Sequence, residues 1–279
     1  MIPSVRSAFS LNPHISMGAI LFAALVFSAA AAPLLSPHDP FHIDLADRLK
    51  PPSFQYPLGT DQLGRCVLSR TFHGTRLSLF SGLAAVSLSL FGGLCIGTLS
   101  GLAGKRWDAV LMRFTDIALA FPMLILAVAI TGILGPSLKS TVIGMALAAW
   151  AWWARFVRGI ILSAKEKEFV TGGRVIGVHG YRLVRHYILP QVLPPLWVAA
   201  SLNAGSMIAA VSGLSFIGLG AQPPAPEWGV MLKEARIYLS AAPWMAVVPG
   251  LGVTLSVLSL NLIGEGLRDL NQIGTVIRM

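Results

Sequence analysis

Apolar residues along this chain gather into six runs, each close to the roughly 20 residues that carry an α-helix across a bilayer. They fall at 16–35, 77–103, 109–134, 138–154, 196–221 and 241–263. The third run is interrupted at its start by Arg113 and Asp116. Between the fourth and fifth lies a polar, basic stretch, 168–190, EFVTGGRVIGVHGYRLVRHYILP. Its pattern predicts a short helix with Glu168 in the first turn, where an acid suits the helix dipole. Gly177 and Gly180 then break the chain, a second short helix follows, and Pro190 stops it. A polar segment held between two membrane-length runs works at the membrane face. The expected fold class is an all-α membrane protein with six transmembrane helices.

Composition supports that reading of the pattern. Of 279 residues, 54% are hydrophobic and 12% charged, with mean hydropathy +0.71, far from soluble-domain usage. A net charge of +9 would suggest nucleic acid in a soluble protein; here it marks cytoplasmic loops. With the N-terminus inside, thirteen Lys and Arg fall on inner segments and eight on outer ones. Seven of the thirteen surround the 168–190 stretch, so both termini are expected to be cytoplasmic. Arg6 and Arg278 belong to that inner count. Residues 29–32 look like a small-residue cleavage region, but the length of the run, the single Arg6 before it and Pro33 favour a retained span over a signal peptide.

Two outer loops are too long to be simple turns. Residues 36–76 carry five prolines and end in LGTDQLGRCVLSR, which reads as helical from Asp61 as N-cap. Residues 222–240 begin with two prolines and the string APEWG. Trp228 and Trp244 suit an interfacial belt. Asp61, Glu227 and Trp228 are the candidates for contact with an external partner, since long loops tend to carry function.

The chemistry that is missing narrows the class. The runs hold no acid or base well inside them, whereas ion-coupled carriers need buried titratable groups. GLAGKR at 101–106 lacks the spacing and hydroxyl of a phosphate loop. Cys66 and Cys95 make no metal or redox spacing. His38, His42 and His73 are scattered over one loop without ligand spacing, so no metal site is expected. A pore with no energy source of its own implies that another subunit drives it.

The 168–190 stretch resembles the EAA loop of ABC importer permeases, in which EAA is followed after three residues by Gly and, nine further on, by Ile-x-Leu-Pro. Gly177, Leu189 and Pro190 match it; Thr171, Gly172, Gly173 and Tyr187 depart; Glu168 and Arg174 fit its surroundings. Two glycines in place of alanines cost helix propensity, about 1 kcal/mol each. Residues 58–70, TRLSL at 75–79, LSFIGLG at 214–220, Glu227-Trp228-Gly229 and the 261–269 stretch resemble the dipeptide, oligopeptide and nickel permease family. The likeness runs from about His38 to Asp269. The aromatic run 149–155, AWAWWAR, resembles the nickel or metal-chelate members most.

What the resemblance implies is a type I ABC importer permease fold with a cytoplasmic coupling-helix loop. The expected layout is an N-terminal helix and outer loop (1–74), a permease domain (75–265) and a cytoplasmic tail (266–279). The partners implied are a homologous second permease, two cytoplasmic ATPases that bind ATP and Mg, and an extracytoplasmic solute-binding protein. This chain would hold no cofactor and be no enzyme, and would sit in the bacterial inner membrane. Glu168, Thr171, Gly172, Gly173, Arg174, Gly177, Leu189 and Pro190 form the candidate ATPase-coupling loop. Asn203, Met207 and Ala210, spaced i, i+4 and i+7 on one helical face, are the pore-lining candidates. Nickel is the expected cargo and peptide the alternative. A secondary carrier, which would need no ATPase, and a membrane enzyme are the rival classes.

Overall fold

The computed structural model describes residues 13–276, with side chains through residue 270. Arg6 and Arg278 lie outside the described residues. In chain order the helices are α1 (Pro13–Ala30), α2 (Ala32–Leu35), α3 (Val67–Leu102), α4 (Lys105–Leu119), α5 (Met123–Leu134), α6 (Leu138–Lys165), α7 (Glu168–Val175), α8 (Gly180–Leu183), α9 (Leu189–Phe216), α10 (Trp228–Ala235) and α11 (Trp244–Val276). No strand forms among the described residues; one antiparallel bridge joins Thr60 to Cys66. Five helices are long and apolar enough to cross a membrane, and a bent pair makes a sixth crossing.

That bent pair is where the third expected span departs from a rod. α4 and α5 meet at 84°. Pro122 has no N–H to donate and disfavours helix at Phe121, so α4 ends at Leu119 and Pro122 becomes the N-cap of α5. Three other helices outrun their apolar cores. α3 begins ten residues before the expected 77, giving 36 residues, roughly 54 Å of helix. α6 begins where expected, with Ser137 accepting the Ser140 N–H as its cap, but continues to Lys165. α11 reaches Val276. The extra turns of α3 and α6 carry charged residues held by tertiary contacts, Arg70 to Glu234 and Arg158 to Asp108, which hydropathy cannot report.

The expected stop at Pro190 does not occur. α8, a π-helical turn (Val184–Ile188) and α9 run on as one 37-residue helix, Gly180–Phe216. Pro190 sits in the first turn of α9. The Leu189 N–H reaches back five residues to the Val184 carbonyl. In a regular helix the proline ring would clash with the carbonyl four residues back, and the wider turn falls where that strain would lie.

The bundle closes through small residues. A methyl group placed on Gly93 would lie 2.2 Å from Trp153 Cβ, and one on Gly97 2.5 Å from the Ala154 carbonyl. α3 and α6 therefore meet backbone to backbone, the packing that small residues at four-residue spacing allow. Trp153, fully buried, fills the groove this leaves.

Candidate coupling segment and the polar cluster at the opposite end

α7 is a two-turn helix with Glu168 in its first turn. Its end is a complete Schellman closure: the Val178 N–H donates to the Gly173 carbonyl at 2.9 Å and the Gly177 N–H to Arg174 at 3.0 Å. That closure needs a left-handed residue after the cap, which Gly177 supplies at φ +88. Gly180, at φ +58, turns the chain again into the long helix. The expected helix, glycine break and second helix are present; the elbow they make is exposed at its tip, with Val175, Ile176 and Tyr181 all more than two-thirds exposed.

The two glycines that replace alanines in the EAA pattern have different surroundings. Gly172 faces open space, whereas a methyl on Gly173 would meet the Tyr187 ring at 2.9 Å. Phe169 stacks on the same ring, centroids 6.4 Å apart. Gly173 is buried, so it presents no backbone to a partner, contrary to the docking role expected for it. Two departures from the pattern, Gly173 and Tyr187, thus explain one another: the ring fills the space a methyl would take. Gly173→Ala alone should cost about 1–3 kcal/mol as overpacking. In a double-mutant cycle, Tyr187→Ile should recover most of that loss; thermal unfolding of the four single, double and parent chains measures it, and independent effects would refute the compensation. Arg174 is half-buried, Thr171, Arg182, Leu189 and Pro190 are exposed, and the Arg185 guanidinium donates to the Tyr181 hydroxyl at 2.8 Å. Lys167 Nζ donates to Gln191 Oε1 at 2.8 Å, at the edge of a cleft of about 340 Å³ between the ends of α6 and α9.

Of the pore-lining candidates, Asn203 and Ala210 are half-buried on α9, but Met207 is 2% exposed and belongs to the core. The exposed position on α9 between them is Ser206, and the next is Gly213. Met207 packs inward with Ile208 and Val211.

At the opposite end the three partner-contact candidates are all buried: Asp61 at 3%, Glu227 and Trp228 at 0%. Buried side chains have no face to offer, so these residues build the protein instead. Asp61 does not start a helix. Its Oδ1 accepts the Leu63 and Arg65 N–H groups, closing a turn, and α3 starts only at Val67. Its Oδ2 takes the Arg65 Nε at 2.6 Å. Arg65 and Arg70 both donate to Glu234 Oε2, at 3.1 and 2.9 Å. Both arginines are essentially buried. Glu227 caps α10 by accepting the Val230 N–H, and its other oxygen accepts the hydroxyls of Ser78 and Ser212 at 3.0 and 3.1 Å. Trp228 donates its backbone N–H to Ser78 Oγ. Trp244, half-buried, donates to the Thr60 carbonyl at 3.1 Å. Arg65, Arg70 and Glu234 escaped sequence reasoning; only the Asp61–Arg65 spacing hinted at a pair.

The long loop before α3 is fixed by a second carboxylate. Asp47 pairs with Lys50 and accepts the Tyr56 hydroxyl. The hydrogen bond from Lys50, then that from Tyr56, hold its carboxyl below the usual range, and the bond to Asp47 pushes the Tyr56 phenol up to about 12. The Asp47 contribution to stability is present above the ordinary carboxylate pKa and fades as pH falls through the lowered one; the Tyr56 contribution is whole below about pH 10 and fades as pH rises towards 12. In a spectrophotometric titration, the difference between wild type and Tyr56→Phe should ionise near 12, and Asp47→Asn should return it towards 10. A midpoint near 10 in the wild-type background would refute the bond. The nearby histidines do not converge: His38 stacks on Tyr56, while His73 Nδ1 lies 3.3 Å from Ser36 Oγ.

A polytopic helical bundle with small-residue packing and one structured elbow is the frame of a membrane transport subunit. The comparisons agree. Residues 93–272 match the family described as "Binding-protein-dependent transport system inner membrane component" and residues 5–52 the "N-terminal TM domain of oligopeptide transport permease C". The chain belongs to this family of ABC importer permeases and is a multi-pass inner-membrane protein. It is 44% identical to the di/tripeptide transport system permease protein DppC of Pseudomonas aeruginosa over 91% of this chain and 86% of that protein. It is 41% identical to the nickel transport system permease protein NikC of Escherichia coli K12, over 91% and 92%. A structure of the MetNI methionine ABC transporter in inward-facing conformations shares the fold, with TM-score 0.51 and 20% identity, over 69% of this chain and 94% of that one.

Proposed function

We propose that this chain forms half of the translocation path of a binding-protein-dependent importer for small peptides. The 168–190 elbow lies on the cytoplasmic side, with both termini, and couples to one of two ATPase subunits that bind ATP and Mg. A homologous permease supplies the other half of the path, and a solute-binding protein delivers cargo to the opposite face. Glu168, Thr171, Gly172 and Arg174 on α7, with the Gly177 closure, form the coupling surface; Leu189 and Pro190 lie where it joins the long helix. The observation that carries the reading is the elbow: a capped helix with an apolar exposed tip, turned at Gly177 and Gly180 into a helix long enough to cross the membrane.

Peptide is favoured over nickel as cargo by the di/tripeptide DppC relative, with a probable D,D-dipeptide permease, DdpC, of Escherichia coli K12 at 38% identity beside it. The aromatic run that pointed to nickel has a packing role instead: Trp153 fills the groove against Gly93, and Trp152 stacks on Phe156 at 5.2 Å. The NikC likeness keeps nickel as the second reading. In cells deprived of their own peptide and nickel importers, the complete complex should restore uptake of a labelled dipeptide and not of nickel. Nickel uptake without dipeptide uptake would reverse the assignment.

A further inference from the structure

Glu227 is fully buried, and its carboxylate joins three helices. It caps α10 through Val230, and it accepts Ser78 of α3 and Ser212 of α9 through one oxygen. Ser212 lies one turn from the end of the Gly180–Phe216 helix, whose other end is the coupling elbow. That helix is roughly 55 Å long, and its backbone continues through Pro194 and Pro195. The junction at Glu227 has no slack. A methyl on Gly229 would lie 2.1 Å from the Ser212 carbonyl, and one on Gly252 would lie 2.7 Å from the Trp228 ring. α10 is thus wedged between α9 and α11 and pinned to α3.

From this geometry we propose that Glu227 is a positioning residue that locks the far end of the Gly180–Phe216 helix to α3 and α10, making one rigid strut from the coupling elbow to the face that receives the binding protein. The inference rests on the importer reading above. A deformable joint at this point would absorb a displacement; a carboxylate holding two hydroxyls and a helix cap, with backbone against backbone beside it, passes it on. Coupling between two sites is reciprocal, so docking of the loaded binding protein at one face reaches the ATPases at the other by the same strut. Gln in place of Glu keeps the shape but turns a three-fold acceptor into a group with one acceptor oxygen. The pin then loses its charge, and the amide nitrogen must donate to the serine hydroxyls where the carboxylate accepted from them, so the charge-assisted bonds are gone.

The test uses the whole complex, both permeases with both ATPases in lipid nanodiscs, and the loaded binding protein as probe. Glu227→Gln should assemble and hydrolyse ATP at the basal rate, while stimulation by binding protein falls about tenfold, within the ordinary range of coupling energies. Ser212→Ala should lower it in the same direction by less. A merely structural defect would lower the assembled amount and leave the stimulated-to-basal ratio of the survivors intact; that result overturns the strut. Should Glu227→Gln fail to assemble, Ser212→Ala decides, and an unchanged ratio again overturns it. A wild-type complex indifferent to its loaded binding protein overturns the importer reading and the strut together, whereas a responsive wild type with an equally responsive variant overturns the strut alone.

Discussion

A chain lacking residues 177–180 should insert normally, should bind its ATPases weakly or not at all, and should import nothing measurable. The deletion removes both residues with positive φ in the elbow, Gly177 at +88 and Gly180 at +58. Ile176 and Tyr181, which the deletion joins, take that conformation only with strain of about 1–2 kcal/mol. The Schellman closure onto Gly173 and Arg174 disappears with Gly177 and Val178. α7 would then either fuse with the long helix or swing away from its present direction, carrying Val175 and Ile176 with it. Insertion should survive, because the deletion takes only Gly180, the first residue of the Gly180–Phe216 helix, and leaves the other four long apolar helices whole. The measurements are substrate uptake, membrane-inserted amount and co-purification of the ATPase. A milder probe is Gly177→Val: open space surrounds the position, so only backbone strain is added, and uptake should be reduced rather than lost. Normal uptake by the deletion mutant would remove the elbow from the coupling role altogether.

How far sequence could be read depended on how local the cause was. The helix of 168–175 and its glycine break were legible because dipole, cap and left-handed glycine act within a few residues. The bend at Phe121–Pro122 was equally local and was passed over, since hydropathy alone joined 109–134 into one run. The continuous helix through Pro190 was not legible: a π turn depends on how Val184–Ile188 packs. Nor was the burial of Asp61, Glu227 and Trp228. Each lies in a polar loop that reads as surface; Glu227 and Trp228 meet Ser78 about 150 positions away, and Asp61 is enclosed through Arg65 and Arg70, which Glu234 holds from more than 160 positions away. The same is true of Met207, whose inward packing is set by neighbouring helices rather than by its own helical period. Two of the charges assigned to an outer loop, Arg65 and Arg70, are interior residues.

That burial sets the largest stability effect expected in this chain. Glu234→Ala should destabilise it by about 3–5 kcal/mol, the usual loss when one partner of a buried ion pair is removed and the other stays charged. Glu234 Oε2 receives both Arg65 and Arg70, whose side chains are 2% and 1% exposed. Asp61 would be left alone to balance two guanidinium groups, at 2.6 and 3.5 Å. Arginine stays charged at any accessible pH, so the site cannot relieve itself by losing a proton. Arg70 Nη1 already has no partner among the described residues, which leaves the site no spare acceptor. The consequence is not confined to the cluster, because Arg65 belongs to the turn that Asp61 closes and Glu234 belongs to α10. Loss of the link should free residues 44–65 from the bundle before the membrane helices separate. Thermal unfolding of the purified chain in detergent reads the global cost, and hydrogen exchange over residues 44–65 reads the local release. Arg70→Met combined with Glu234→Met should restore more than half of the stability, since one charge of each sign leaves and the Asp61–Arg65 pair remains balanced. A loss below about 1 kcal/mol in Glu234→Ala, the scale of an exposed pair, would mean that water reaches these charges and that the loop before α3 is held by its own turns alone.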